Sequence, residues 1–215
     1  MTLQLTARGA VADLTDAACL ADEFSSRHCV TLRSFIPAPL LTQIHAALDT
    51  ATFAERAHGA IATELCMSRN TCLGMLHFLV NDPAVFSFVE RVTGVSGLRS
   101  FSGRVYRRLP AAHHDSWHSD IHPDRALGMS VNLSRKPYDG GVFEIRDEDT
   151  GVVQGSLANV GLGDAILFRI AEGLEHRVTE VAGTAPKTAF AGWFGGARDY
   201  LEDFRRDPFL RDEDA

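Results

Sequence analysis

The sequence has no hydrophobic run that approaches the ~20 residues of a membrane-spanning helix, so no membrane partner is expected. Its N-terminal segment also lacks the charged start and apolar block of a secretory signal. Positive charge is not in excess, because 28 acidic residues oppose 21 basic ones and give a net charge of −7. We therefore expect no nucleic acid partner either.

Closely spaced cysteine pairs are missing as well. The four cysteines show no CxxC spacing, and all lie in the first third of the chain: Cys19, Cys29, Cys66 and Cys72. This usage is typical of ordinary thiols in a reducing compartment, so we expect a cytoplasmic protein.

No internal repeat or low-complexity linker divides the 215 residues, which suit a single structural domain. Residues 1–97 are expected to form a support layer of helices and strands. Within it, residues 28–51 predict a short strand, a proline-marked turn and a helix with an apolar stripe near the 3.6-residue period. Residues 81–94 predict a second helix, because an Asn or Asp cap and a proline begin it and a glycine ends it.

From about residue 98 the chain consists of short alternating segments separated by Gly, Pro and Asp. Several short strands at such spacing predict a sandwich or barrel. We therefore expect a mainly β fold with α: a double-stranded β-helix (jelly roll) core at residues 98–197, packed against the N-terminal helical layer. Residues 198–215 form a charged tail that is expected to begin as a helix and then fray.

The segment SWHSDIHPD, residues 116–124, holds a candidate metal site. In a strand, side chains at i and i+2 point to the same face, so His118 and Asp120 converge. The first histidine after His122 is His176, which begins another predicted strand. Two histidines and one carboxylate that leave open positions are the ligands of non-haem Fe(II) oxygenases, whereas zinc and magnesium favour other sets.

A simpler interpretation stays open at this level. An HxD sequence in a polar loop can be no more than a loop. His113, His114 and His122 also lie close enough to be the functional histidines instead.

Several motifs together resemble the core of the Fe(II)- and 2-oxoglutarate-dependent dioxygenases, and within them the prolyl-4-hydroxylase-like group. They are WHSD, GGVFEI, VGLGDAILF and EHRVTEVAGTAPKTAFAGWF. The earlier segment HCVTLRSFIPAPLLTQI is similar to the strand–turn–helix start of that group. The resemblance implies that His118, Asp120 and His176 bind Fe(II) and carry the catalysis.

The resemblance also implies which residues bind the co-substrate. The distal carboxylate of 2-oxoglutarate needs a fixed cation in an apolar pocket, and the family places Arg or Lys on the strand after the distal histidine. Lys187 holds that place, 11 positions after His176, which is one more than in prolyl hydroxylases; Lys136 is the only other lysine. Tyr106 is similar to the tyrosine that hydrogen-bonds the same carboxylate, and Trp193 is expected to line the pocket near the iron.

A family member of this kind uses Fe(II), 2-oxoglutarate and O2, with ascorbate as a candidate reductant, to hydroxylate a C–H bond. The substrate would be a peptide, a protein, an amino acid or a small metabolite. The carboxylate of Asp120 favours hydroxylation or desaturation over halogenation. Three rivals remain: a phytanoyl-CoA-hydroxylase-like dioxygenase, which WHSD also suits; a cupin-like metalloenzyme that does not use 2-oxoglutarate; and a non-catalytic binding jelly roll.

Overall fold

The computed structural model describes residues 3–158 and 161–196, so the predicted tail at 198–215 lies outside the described residues. The helices are α1 (Ala17–Arg27), α2 (Ala38–Asp49), α3 (Thr71–Val80) and α4 (Pro83–Thr93). The strands are β1 (Leu3–Thr6), β2 (Gly9–Ala12), β3 (Cys29–Leu32), β4 (Phe53–His58), β5 (Ala62–Met67), β6 (Ser100–Arg108), β7 (Leu127–Asn132), β8 (Asp139–Gly140), β9 (Phe143–Asp147), β10 (Val153–Leu157), β11 (Ala165–Arg169), β12 (Leu174–Val178), β13 (Val181–Ala182) and β14 (Lys187–Gly195).

Two antiparallel sheets form the jelly roll, and the predicted fold class is confirmed. The larger sheet has seven strands in the order β3-β11-β7-β14-β6-β5-β4, and the smaller has the order β10-β9-β12. Because β3, β4 and β5 come from the first 97 residues, that part of the chain supplies three strands to the larger sheet as well as the helices.

Both helices predicted from sequence are present. In α4 the side chain of Asp82 accepts a hydrogen bond from the amide of Ala84, and the helix ends at Gly94 with a φ of 73°. In α2 one stripe is buried, as its spacing predicted: Leu40, Leu41, Ile44 and Leu48. No single helix in residues 3–158 and 161–196 is long and apolar enough to cross a membrane; α3 and α4 pass that test only as a pair bent by 56°.

Side chains along β6 and β14 alternate between the main apolar cluster on one face and a cavity on the other. Phe101, Phe190 and Phe194 are fully buried in the main apolar cluster, together with residues of all four helices. Side chains of the opposite parity, such as Arg104 and Trp193, line a cavity between the two sheets. One face of these strands therefore builds the core, and the other face builds the site.

Candidate functional site

His118, Asp120 and His176 lie together at one end of this cavity. A pair of backbone hydrogen bonds joins His118 to His176, with N···O distances of 3.1 and 2.9 Å. This short antiparallel bridge ties the HxD segment to β12. One ligand atom from each of the three side chains lies within 4.8 Å of the others, which is close enough for a shared metal ion. The predicted triad is thus assembled by long-range strand pairing.

The ring of His118 is oriented by its own loop. Its Nδ1 lies 2.7 Å from the carbonyl oxygen of Ser116, so Nδ1 carries the proton and donates it to that oxygen. Its Nε2 is then left with a lone pair for a metal, and this is the tautomer that imidazole ligands adopt.

The carboxylate of Asp120 accepts hydrogen bonds from neighbouring side chains. The indole Nε1 of Trp193 donates to its Oδ2 at 2.7 Å, and Nε2 of His176 lies 3.3 Å from the same oxygen. Burial alone would raise the pKa of Asp120, but the hydrogen bonds from His176 and Trp193 outweigh it and hold the pKa well below its usual range. The carboxylate is therefore ionised at neutral pH.

The cavity has a volume of about 240 Å³. Its apolar wall includes Phe143, Phe168 and Val178, and both phenyl rings contact the imidazole of His176, with centroids 5.9 and 4.7 Å away. Three guanidinium groups also line it, from Arg104, Arg108 and Arg125. Such a pocket suits a small polar or anionic ligand beside a metal ion.

A family model described as the 2OG-Fe(II) oxygenase superfamily matches residues 104–195, a range that includes all three residues of the cluster. Residues 104–195 are therefore similar to this superfamily. No curated protein matches the sequence of the chain.

Solved structures with the same fold include proteins with different activities. An oxidoreductase of the 2OG-Fe(II) oxygenase family from Burkholderia pseudomallei is 18% identical with a TM-score of 0.63, and the match covers 86% of this chain and 93% of that one. A prolyl-4-hydroxylase from Pseudomonas putida is 16% identical with a TM-score of 0.62, over 85% and 100%. The non-haem α-ketoglutarate-dependent epimerase SnoN from nogalamycin biosynthesis is 18% identical with a TM-score of 0.62, over 86% and 82%.

The other histidines near the HxD segment lie outside the cluster. His113 is buried and accepts a hydrogen bond from the amide of Leu109. His114 and His122 are exposed. Local structure therefore accounts for the three histidines that the sequence left as alternatives.

Tyr106 and Trp193 line the cavity, but Lys187 does not appear among its lining residues. Lys187 is 1% exposed, and its Nζ donates to the carbonyl oxygen of Gly141 at 3.0 Å. That carbonyl is presented by a backbone with φ of 59°, a conformation that favours glycine. The cross-strand partner of Lys187 is Arg108, which does reach the cavity.

Sequence reasoning missed the three arginines of the cavity wall. Arg108 donates from Nη1 to Oδ2 of Asp115 at 2.7 Å, and both side chains are 6% exposed. The alternation Arg104, Tyr106, Arg108 in GRVYRRL was the available signal, because all three side chains share one face of β6. Their pairing with acids could not be predicted, since Glu64 comes from a distant strand and Asp115 from the loop that follows β6.

Trp117 anchors the HxD segment from the outer side of the smaller sheet. The guanidinium carbons of Arg146 and Arg177 lie 4.2 and 4.5 Å from its ring centroid. Each arginine is also paired with a glutamate across β9 and β12, Glu175 and Glu144 respectively. Arg177 therefore faces away from the cavity, as expected for a neighbour of His176 in a strand.

Trp193→Phe keeps an aromatic ring but removes the N–H that donates to Asp120. The loss of this hydrogen bond should weaken iron binding by ~10–100-fold. Anaerobic titration with Fe(II) measures the change. Iron affinity equal to that of the unmodified protein would contradict the role given to the indole N–H.

Trp117→Ala should weaken iron binding by roughly 3- to 30-fold. Two cation–π contacts of about 0.5–1 kcal/mol each would no longer hold the segment that carries His118. Trp117→Phe, which keeps an aromatic face, should recover part of the affinity in the same titration. If both variants bind iron as tightly as the unmodified protein, the contacts of Trp117 with the two arginines do not support the site.

Proposed function

We propose that this protein is a non-haem Fe(II)- and 2-oxoglutarate-dependent dioxygenase that hydroxylates a C–H bond of a small metabolite, an amino acid or a peptide. The observation that carries the proposal is the meeting of His118, Asp120 and His176 at a cavity walled by cations. A cytoplasmic setting is proposed with it. The four cysteines are free thiols, which supports a reducing compartment.

The donor set fits Fe(II). Two neutral imidazoles and one carboxylate on one side of the ion leave room for further ligands, as in non-haem oxygenases, and no thiolate of the described residues joins the cluster. Bound there, Fe(II) would supply the redox chemistry: 2-oxoglutarate, O2 and a C–H substrate give succinate, CO2 and the hydroxylated product.

The residues of the chain would hold and orient the reactants. His118, Asp120 and His176 would bind the metal, with Asp120 kept ionised by its neighbours. Arg108 and Lys187 would supply positive charge for the distal carboxylate of 2-oxoglutarate. Tyr106, which burial keeps in its neutral form by raising its pKa, would offer a phenolic hydroxyl beside them.

The apolar wall would exclude water from the reacting atoms. Phe143 and Phe168 pack against His176, and Gly128 makes room for Phe168, because a β-carbon at position 128 would lie 2.0 Å from that ring. A dry wall strengthens the electrostatic contacts inside the site and limits side reactions.

The direct experiment is substrate-free turnover of the co-substrate. Purified protein with Fe(II), O2 and ascorbate as reductant should convert 2-oxoglutarate slowly to succinate, because this reaction needs only the metal site and the carboxylate pocket. The rate should fall to background when Fe(II) or O2 is left out. Succinate that never exceeds the no-enzyme background, with candidate substrates also added, would favour the cupin-like or binding alternatives.

The fold leaves the substrate class open. A prolyl-4-hydroxylase and an epimerase from nogalamycin biosynthesis share the fold at under 20% identity, so the fold does not select between peptide and small-molecule substrates.

A further inference from the structure

Beside the metal cluster, a second group of polar residues lines the cavity wall on three neighbouring strands. His58 ends β4, Glu64 lies in β5 and Arg104 lies in β6. None of them is part of the predicted triad or of the co-substrate residues. His58 and Arg104 line the cavity, whereas Glu64 is fully buried behind them.

Glu64 fixes both of its neighbours. Its Oε1 accepts from Nε of Arg104 at 2.5 Å, and its Oε2 accepts from Nη2 at 3.3 Å. Nε2 of His58 lies 3.0 Å from Oε1. Burial raises the pKa of Glu64, but the charge of Arg104 and the bonds from His58 and Arg104 outweigh it and lower the pKa to about 2. The glutamate is therefore a permanent anion.

The geometry of this pair leaves one end of the guanidinium for another ligand. A carboxylate that pairs side-on with Nε and Nη2 does not use Nη1, and an arginine can bind a second anion through that edge. Buried ion pairs add little net stability, because desolvation of the two charges offsets their attraction. The presence of this pair in a cavity wall is better explained by the guanidinium of Arg104, which the pair holds at the cavity surface.

A second guanidinium lies on the same aromatic ring. The Cζ atoms of Arg125 and Arg104 lie 3.7 and 5.8 Å from the ring centroid of Trp193, the residue that donates to Asp120. The side chain of Arg125 is 30% exposed, so it can meet a ligand that enters from solvent. Two cations thus contact the indole beside the metal cluster.

Ion pairs account for most of the charges that the described residues bring to the site. Glu64 matches Arg104, Asp115 matches Arg108, and Nη1 of Arg125 lies 3.5 Å from Oδ1 of Asp120. A doubly charged metal ion and a doubly charged 2-oxoglutarate would cancel each other. Among these described groups the charge of Lys187 is then left over, and an anionic group on the substrate would balance it.

We propose that the substrate is a small carboxylic acid whose carboxylate binds between Arg104 and Arg125. This inference rests on the proposed function. The cavity of about 240 Å³ is small for a drug-sized ligand, which favours a small molecule over a larger one. The carboxylate would fix the substrate beside the metal, so that one C–H bond is presented for oxidation.

The test compares acids with their uncharged counterparts. The protein, loaded with Fe(II) and 2-oxoglutarate, is given free amino acids and aliphatic carboxylic acids, each beside its primary amide. At least one acid should raise succinate formation at least tenfold above the uncoupled rate, and its amide should not. Amides, amines or peptides that stimulate turnover while no acid does would overturn the proposal and leave the proposed function intact.

Variants then locate the site. Arg104→Gln combined with Glu64→Gln, which avoids an unpaired buried carboxylate, should raise the KM for the acid by about 30-fold or more. The Kd for 2-oxoglutarate should change less than threefold. His58→Gln removes an imidazole that bonds Glu64 and so helps to hold Arg104, and it should raise the KM about 3- to 10-fold. Arg33→Gln, on a side chain that is 73% exposed, is the matched control.

Two further outcomes would count against the subsite. If the Arg104 double variant loses 2-oxoglutarate affinity instead of acid affinity, these residues belong to the co-substrate site. If the KM for the acid is unchanged in both the double variant and His58→Gln, the substrate carboxylate binds elsewhere. Failure of the proposed function itself is recognised separately, because the unmodified protein would then form no succinate under any condition.

Discussion

His118→Ala and His176→Ala should each abolish stoichiometric iron binding, and 2-oxoglutarate turnover should be lost with it. Each change removes one of three ligands, so the loss should exceed the ~10–100-fold typical of residues that only orient a ligand. Metal analysis of protein purified and reconstituted without oxygen measures the iron content, expected at about one per chain in the unmodified protein.

A matched control exists in the same loop. His122 is exposed and lies outside the cluster, so His122→Ala should keep full iron content. Unchanged iron content in both His118→Ala and His176→Ala would refute the site. Loss of iron in His122→Ala alone would assign a metal ligand to His122 instead.

Lys187 should make 2-oxoglutarate binding depend on pH. Burial lowers the pKa of Lys187 to about 7, and the neighbouring charge of Arg108 acts in the same direction. Below pH 7 the ammonium is already present in the free protein. Above pH 7 the amine must take up a proton before it can pair with the carboxylate of 2-oxoglutarate. The Kd for 2-oxoglutarate should therefore rise by up to about tenfold for each pH unit between 7 and 9.

Substitutions separate Lys187 from its neighbour Arg108. At pH 6, Lys187→Ala should weaken 2-oxoglutarate by roughly 30-fold or more and flatten the pH profile, while iron binding persists. Lys187→Arg should recover part of the affinity with little pH dependence. Lys136→Ala, at an exposed position, is the control. A pH-independent Kd that survives Lys187→Ala but not Arg108→Gln would assign the anchor to Arg108.

The sequence predicted the elements whose signals are local. Asp82, Pro83 and Gly94 mark both ends of α4, and the leucine stripe marks α2, so caps and period were enough. α3 was missed because TCLGMLHFLV is apolar on nearly every side and shows little periodicity. α1 was missed for the opposite reason, since only Ala17 and Phe24 are buried in it.

The β4–β5 hairpin was missed because β4 is the outer strand of its sheet. Its residues FAERAH are exposed or half-buried, so the alternation that predicts a strand is weak. This omission hid His58 and Glu64, which need the hairpin to reach Arg104. The pair Arg104–Glu64 depends on a contact between distant segments, which a single sequence does not encode locally. The pair Arg108–Asp115 depends on the course of the loop that follows β6.

The triad is different, because the HxD motif and the one later histidine were visible in the sequence. The structure places His118 and Asp120 in the segment between β6 and β7 rather than in a strand, and a single bridge joins His118 to His176. A local pattern therefore indicated the residues of the candidate metal cluster, whereas the charged residues of the cavity wall came only from the fold.

Anaerobic addition of Fe(II) and 2-oxoglutarate, followed by visible absorption, reports on the metal cluster and the co-substrate pocket together. We expect an absorption band that requires both additions, saturates at about one equivalent of each per chain, and is lost in His176→Ala. Fe(II) that binds at this stoichiometry without any change on addition of 2-oxoglutarate, or a band that persists in His176→Ala, would contradict the proposed site.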